Sequence, residues 1–295
     1  MTSVVGTGNA YSDRSGRLFR IGLTAPGMLA ALGLVLFPLA IVLYLSVRHN
    51  YGSLLGAGFT FANFATALTD PLYAAVILRS LAIAGLVTLA TVVTAYPVAY
   101  YLAFHAGPRR ALILFLVTLP FWTSYLLRVF AWKIVLAYNG VLNSALLTTG
   151  ITSEPILAFL NTPAAVVVTL AHAYAVFAIL PIYVALQTIP RSLLEAASDL
   201  GAHPFAVFRK VILPMSMPGV LAAALVVFVS TVGDYVTPSL VGGPSSTMIG
   251  SIIQAQFGKA NDWPFGSALS VIVMLVVLAV VLAVRLGDKH FGSRT

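Results

Sequence analysis

Polar residues are gathered into short intervals along this chain, and between them run six mostly apolar stretches, at 28–47, 76–104, 111–135, 163–187, 213–240 and 265–286. A helix needs about 20 apolar residues to cross about 30 Å of hydrocarbon. The pattern therefore predicts an all-α, polytopic membrane protein with six transmembrane helices. Leu, Ile, Val and Ala also fill the buried helices of soluble domains, but six stretches of this length argue against that reading. The expected organisation is a tail at 1–27, a six-helix domain at 28–286 and a second tail at 287–295. Composition agrees: the 295 residues are 60% apolar and only 8% charged, which excludes an ordinary soluble globular domain.

Charge then orients the chain. Arg14, Arg17 and Arg20 precede the first stretch, Arg109 and Arg110 follow the second, Arg191, Arg209 and Lys210 follow the fourth, and Arg285, Lys289 and Arg294 follow the sixth. Lys and Arg are retained in short cytoplasmic segments, so both termini and the 190–214 loop are expected to be cytoplasmic. This topology accounts for the net charge of +8 and leaves no call for nucleic acid as a partner. There is no cysteine, hence no disulfide or thiolate metal site, and the 20 N-terminal residues lack the apolar core of a signal peptide.

The opposite loops are expected on the outer face. The loop at 49–75 carries Phe59, Phe61 and Phe64, suited to a membrane interface, around a short helix or turn. Another outer loop, formed by Tyr138 to Asn143 and Gly150 to Pro163, has room for one short helix. After Gly242-Gly-Pro244, an amphipathic segment is expected at 248–257.

The most distinctive polar loop reads Glu195-Ala196-Ala197-Ser198-Asp199-Leu200-Gly201, then nine residues, then Val211-Ile-Leu-Pro214. Pro190 opens a helix near its first turn. Leu193, Leu194, Ala197 and Leu200 recur at helical spacing on one face, and Gly201 ends the helix in a left-handed conformation. A second short helix begins at Pro204 and is expected to end before Pro214. The product is a partly apolar knob suited to a groove in a partner protein; the alternative is an amphipathic loop lying on lipid headgroups through Arg209 and Lys210.

No phosphate-binding G-x-x-x-x-G-K-[ST] sequence, H-E-x-x-H or G-x-S-x-G occurs, and the five histidines are scattered. The chain is not expected to be an enzyme or to hold a metal. Ionisable residues inside a bilayer need partners or a wet path. Counted at 1.5 Å per residue from a cytoplasmic entry near Pro218 and from Ala111, Asp234 and Arg128 lie at nearly the same depth, about 24 Å, with Arg79 in the same layer. Asp234, beside Tyr235, either neutralises an arginine or faces a central path and receives a cationic group. Pro120-Phe-Trp122-Thr123-Ser124-Tyr125 breaks the third stretch near its middle, offering two hydroxyls and aromatic rings to a passing solute or to helix packing. Trp122 and Tyr125, three apart, are expected to share one helix face.

The Glu195 to Pro214 pattern resembles the EAA loop of ABC importer permeases. Pro120-Phe-Trp-Thr-Ser, Leu127-Arg128, Ala131-Trp132, Asn139-Gly140-Val-Leu-Asn143, Gly233 to Gly243 and Asp262-Trp-Pro-Phe-Gly266 are similar, in particular, to B-type permeases of spermidine/putrescine importers. The resemblance implies the type I ABC importer permease fold in a bacterial inner membrane. It also implies a second related permease subunit, two cytoplasmic ATPases and an extracytoplasmic solute-binding protein. This chain would carry no cofactor; ATP and Mg would belong to the ATPases, with Leu193, Leu194, Glu195, Ala196, Ala197, Asp199 and Gly201 coupling to them. Related permeases serve opines, iron or thiamine, so other solutes stay open. An ion-gradient transporter would be expected to show inverted repeats and an acidic relay; neither is visible.

Overall fold

The computed structural model describes residues 9–51 and 54–292. Residues 1–8 and 293–295, and with them Arg294 and the ends of both expected tails, lie outside the described residues. The helices are α1 (Asn9–Ser46), α2 (Ala62–Thr69), α3 (Pro71–Phe104), α4 (Arg110–Thr118), α5 (Tyr125–Val135), α6 (Val141–Thr148) and α7 (Pro163–Gln187). They continue as α8 (Arg191–Asp199), α9 (Pro204–Val207), α10 (Leu213–Val232), α11 (Val236–Val241), α12 (Ile249–Gly258) and α13 (Trp263–Gly292). Five described helices are long and apolar enough to cross a membrane, and six spans result if the bent pair Gly107–Trp122 and Tyr125–Val135 counts as one.

Local chemistry sets the helix starts. Asp70 accepts a hydrogen bond from the Leu72 amide at 2.8 Å and Pro71 takes the first helical position, so α3 begins five residues before the apolar pattern does. Thr162 and Pro163 start α7 in the same way. A short hairpin of β1 (Arg48–Tyr51) and β2 (Leu54–Phe59) precedes α2. It was not expected from the sequence, because a four-residue strand against a Gly-rich one carries little periodicity. Asn63 pins it, donating to the Ser46 and Arg48 carbonyls at 3.1 and 2.9 Å.

The centre is a trio of α3, α7 and α10, whose Val87, Leu170, Ile182, Leu186 and Val227 are fully buried. Gly219 lets α10 approach α7: a Cβ there would strike the Ala185 side chain and the Pro181 carbonyl. A second cluster joins α2, α3, α12 and α13 through Ala67, Val76, Ile249, Phe265 and Leu269.

The break expected near the middle of the stretch 111–135 is present as two half-helices bent by 89°, with extended backbone at Thr123 and Ser124. Pro120 lacks the amide hydrogen that a continuous helix would use. Two expectations need correction. The stretch 213–240 ends at Val232 and restarts at Val236, since Pro238 in an uninterrupted helix would leave a carbonyl unpaired. Conversely, the helix opened by Pro204 does not stop before Pro214. A π turn at Phe208–Ile212 carries it into α10, with the Leu213 amide bonded to the Phe208 carbonyl. The wider turn shifts the backbone pairing where the Pro214 ring would otherwise meet the preceding turn.

Candidate functional site

Two interruptions of long helices gather the residues singled out in the sequence. At the first, α8 ends in a Schellman turn. Gly201 takes φ +77°, its amide donates to the Ser198 carbonyl at 2.9 Å, and the Ala202 amide reaches the Ala197 carbonyl at 3.1 Å. His203 then caps α9, its Nδ1 accepting from the Phe205 amide at 3.3 Å. The apolar residues of this helical pair divide between two directions. Leu194, Ala197 and Ala202 pack at the edge of the central cluster, against which Ile189 and Val207 are buried. Leu193 is exposed, Phe205 more so, and Leu200 is 89% exposed. The single face expected of Leu193, Leu194, Ala197 and Leu200 is thus split, because α8 finishes at Asp199 and Leu200 sits in the turn. Glu195, Ala196 and Asp199 are exposed on the outer side of α8.

The second interruption lies where the bend of the third span meets the break after α10. Asp234 is 7% exposed, and its carboxylate is fully used. Oδ1 accepts from the Val236 and Thr237 amides at 2.8 and 3.2 Å. Oδ2 accepts from the Thr237 hydroxyl at 3.0 Å and from the Tyr125 hydroxyl. Tyr125 Oη and Thr237 Oγ1 are themselves 2.6 Å apart, and the Tyr125 ring stacks on Tyr174. Thr237 and Tyr174 were not singled out in the sequence. Thr237 lies within reach of an aspartate that can bond the backbone two residues on, whereas nothing local marks Tyr174.

The arginines take other partners. Arg128 donates to the Ala173 carbonyl at 3.1 Å, and its guanidinium stands 5.9 Å from the Phe121 ring centre and 5.8 Å from that of Tyr125. Arg79 donates to the Pro244 carbonyl at 3.3 Å. Tyr125 therefore stands between a carboxylate and a guanidinium that do not pair. Trp122 is 79% exposed, and the bend separates it from half-buried Tyr125, so the two do not share a helix face as expected. Ser124 and Thr123 are exposed at the bend, and Thr123 returns its hydroxyl to the Pro120 carbonyl at 2.7 Å. Tyr235 turns away from Asp234 and lines a groove of about 680 Å³ with Gln254, Phe257 and Met274. Among the described residues no group of three or more His, Asp or Glu stands close enough to hold a metal ion.

The chain that carries this junction and this helical pair matches a family model over residues 3–294, described as the binding-protein-dependent transport system inner membrane component. The chain belongs to that family. It is a permease subunit of an ABC importer. The permease is 40% identical over 251 residues to the spermidine/putrescine transport system permease protein PotB of Haemophilus influenzae, covering 85% of this chain and 87% of that protein. It is 37% identical over 242 residues to the inner membrane ABC transporter permease protein YdcU of Escherichia coli, covering 77% and 76%. A bacterial ABC transporter that imports the acidic polysaccharide alginate shares its fold, with a TM-score of 0.71 at 16% identity over 95% of this chain and 98% of the other. A bacterial alginate ABC transporter in complex with an alginate pentasaccharide-bound periplasmic protein gives 0.70 at 16% identity, over 92% and 94%.

Proposed function

We propose that this permease forms one half of a translocation path for polyamines such as spermidine and putrescine, paired with a second, related permease subunit. Two cytoplasmic ATPases would bind ATP and Mg and dock on the α8–α9 pair, and an extracytoplasmic protein would deliver the solute. The observation that carries the docking is the outward set of Leu193, Leu200 and Phe205 on a turn whose backbone hydrogen bonds are already satisfied. Such a surface has apolar area to bury and no polar debt to a partner. Placing it on the cytoplasmic face, with both termini, follows from the distribution of Lys and Arg.

The polyamine reading is supported by the 40% identity to PotB across most of both chains. It is also supported by a carboxylate within the apolar region whose partners are hydroxyls and amides rather than an arginine, so no cation of this chain neutralises its charge. Reconstitution of the complete importer in proteoliposomes tests both parts. ATP-dependent spermidine uptake that requires the binding protein is expected. Uptake by the permease alone under an ion gradient would refute the ABC mechanism, and ATP-driven uptake of another solute class with none of spermidine would refute the polyamine assignment.

A further inference from the structure

Asp234 as it stands has no free lone pair to offer an ammonium group. Four donors occupy its two oxygens, which is the ordinary capacity of a carboxylate. Three of the four, the Val236 and Thr237 amides and the Thr237 hydroxyl, belong to the same turn as Asp234 and move with it. Only the Tyr125 hydroxyl comes from elsewhere, from the first residue of α5.

That residue directly follows the extended pair Thr123 and Ser124, where the third span bends by 89°. The helix-type backbone bonds at this link stay on their own sides, the Thr123 amide donating back to the Pro120 carbonyl at 3.3 Å and the Ser124 carbonyl accepting from the Arg128 amide at 3.2 Å, so neither has to break when one half pivots. The remaining contacts of Tyr125 are the Thr237 hydroxyl at 2.6 Å, which belongs to the Asp234 turn, the guanidinium of Arg128 on the same helix, and the Tyr174 ring on α7, stacked at 6.3 Å between centroids, a contact that permits sliding. Motion of α5 against α11 therefore uncovers one position on Asp234 Oδ2 and leaves the remainder of its hydrogen bonds intact.

We propose that Tyr125 is a withdrawable cap on Asp234, a positioning residue whose departure with α5 opens the carboxylate to one ammonium group of the solute. The proposal rests on the polyamine reading for the identity of the cation; the movement of the cap does not. In this arrangement the solute competes with a tyrosine hydroxyl for the same oxygen, so affinity in the path is set by α5 as well as by Asp234.

Two measurements on the complete importer test this. In Tyr125→Phe the ring and its stacking stay while the competing hydroxyl is removed. The half-saturating spermidine concentration for uptake is expected to fall about three- to tenfold; an unchanged or raised value would overturn the cap and make Tyr125 a direct ligand or a packing residue. The chain has no cysteine, so the pair Leu126→Cys on α5 and Val236→Cys on α11, which leaves Tyr125, Thr237 and Asp234 in place, provides two unique sites in this subunit for a bis-methanethiosulfonate reagent. Cross-linking yield is expected to differ at least threefold between nucleotide-free and vanadate-trapped importer, and equal yields would overturn the proposal. Should the importer with the natural sequence fail to carry spermidine, the polyamine reading falls by itself, and the cross-linking yield still decides whether the cap moves.

Discussion

The α8–α9 turn and the α5–α11 junction solve the same problem, the interruption of a helix beside an apolar bundle, by opposite means. At α8–α9 the backbone closes on itself around Gly201, and the side chains are left over. Leu200 and Phe205 point outward with nothing to cover them. At α5–α11 the backbone cannot close alone, because Pro120 and Pro238 each remove a donor, and the side chains are consumed: Asp234, Thr237 and Tyr125 all serve the break. A self-satisfied turn can specialise in binding a partner, whereas a turn set in apolar surroundings spends its polar groups on itself. Its function must then come from exchanging one of those partners for another.

The largest effect that separates the two regions is expected from Asp234→Ala. It leaves two amides and two hydroxyls without their shared acceptor, and each buried polar group stranded in this way costs about 1–3 kcal/mol. With partial rescue by rearrangement, the loss should reach about 3–5 kcal/mol. It would appear as a clear fall in the thermal midpoint of the detergent-solubilised complex. Asp234→Asn keeps an acceptor at the Oδ1 position and should lose about half as much. If the alanine variant unfolds at the original temperature, the junction is not held by its side chains and the contrast fails.

The second test runs the other way. Replacing Leu200 and Phe205 together by Asp should leave the thermal midpoint within about 0.5 kcal/mol of the original, as is usual for exposed positions. It should also weaken recovery of the ATPase with the permease by about 100-fold, the scale expected when two central apolar contacts of an interface are lost. Undiminished co-purification would return the pair to the membrane surface.

The contrast also explains how much could be seen in the sequence. Five of the six spans and the knob were legible, because their signals are local: apolar runs, Pro190 and Pro204 at helix starts, Gly201 at a helix end. The bend at Pro120 was legible as a break but not as an angle, since a proline says where hydrogen bonding stops and not where the chain goes next. The partner of Asp234 was not legible. Equal depth along the spans makes Arg128 and Arg79 candidates, but depth fixes only one coordinate, and rotation about each helix decides the neighbour. In the structure that rotation brings Tyr125 to the carboxylate and leaves Arg128 to the Ala173 carbonyl and two aromatic rings.

A finer test removes one hydroxyl from the junction. Thr237→Val preserves shape and both backbone amides but takes away the donor at 3.0 Å from Asp234 Oδ2 and the neighbour of Tyr125 Oη. A single hydrogen bond to a charged group contributes about 1.5–3 kcal/mol, and Tyr125 remains as a second donor, so the expected loss is about 1–2 kcal/mol in thermal stability. ATPase recovery should be unchanged.

The smallest effect is expected at Gly201, and it probes whether the knob depends on its turn rather than on its side chains. No neighbouring atom would meet a Cβ there, so any cost of substitution is conformational and comes from φ +77°. Alanine in the left-handed region costs about 1 kcal/mol, and asparagine tolerates that region better than alanine does. Gly201→Ala should therefore fray the end of α8 and lower ATPase recovery about threefold to fivefold, while Gly201→Asn should fall between alanine and glycine. That ranking follows from backbone conformation alone. If alanine and asparagine are equally harmful, the glycine is needed for close contact with the partner, and the surface presented by the turn extends to its backbone.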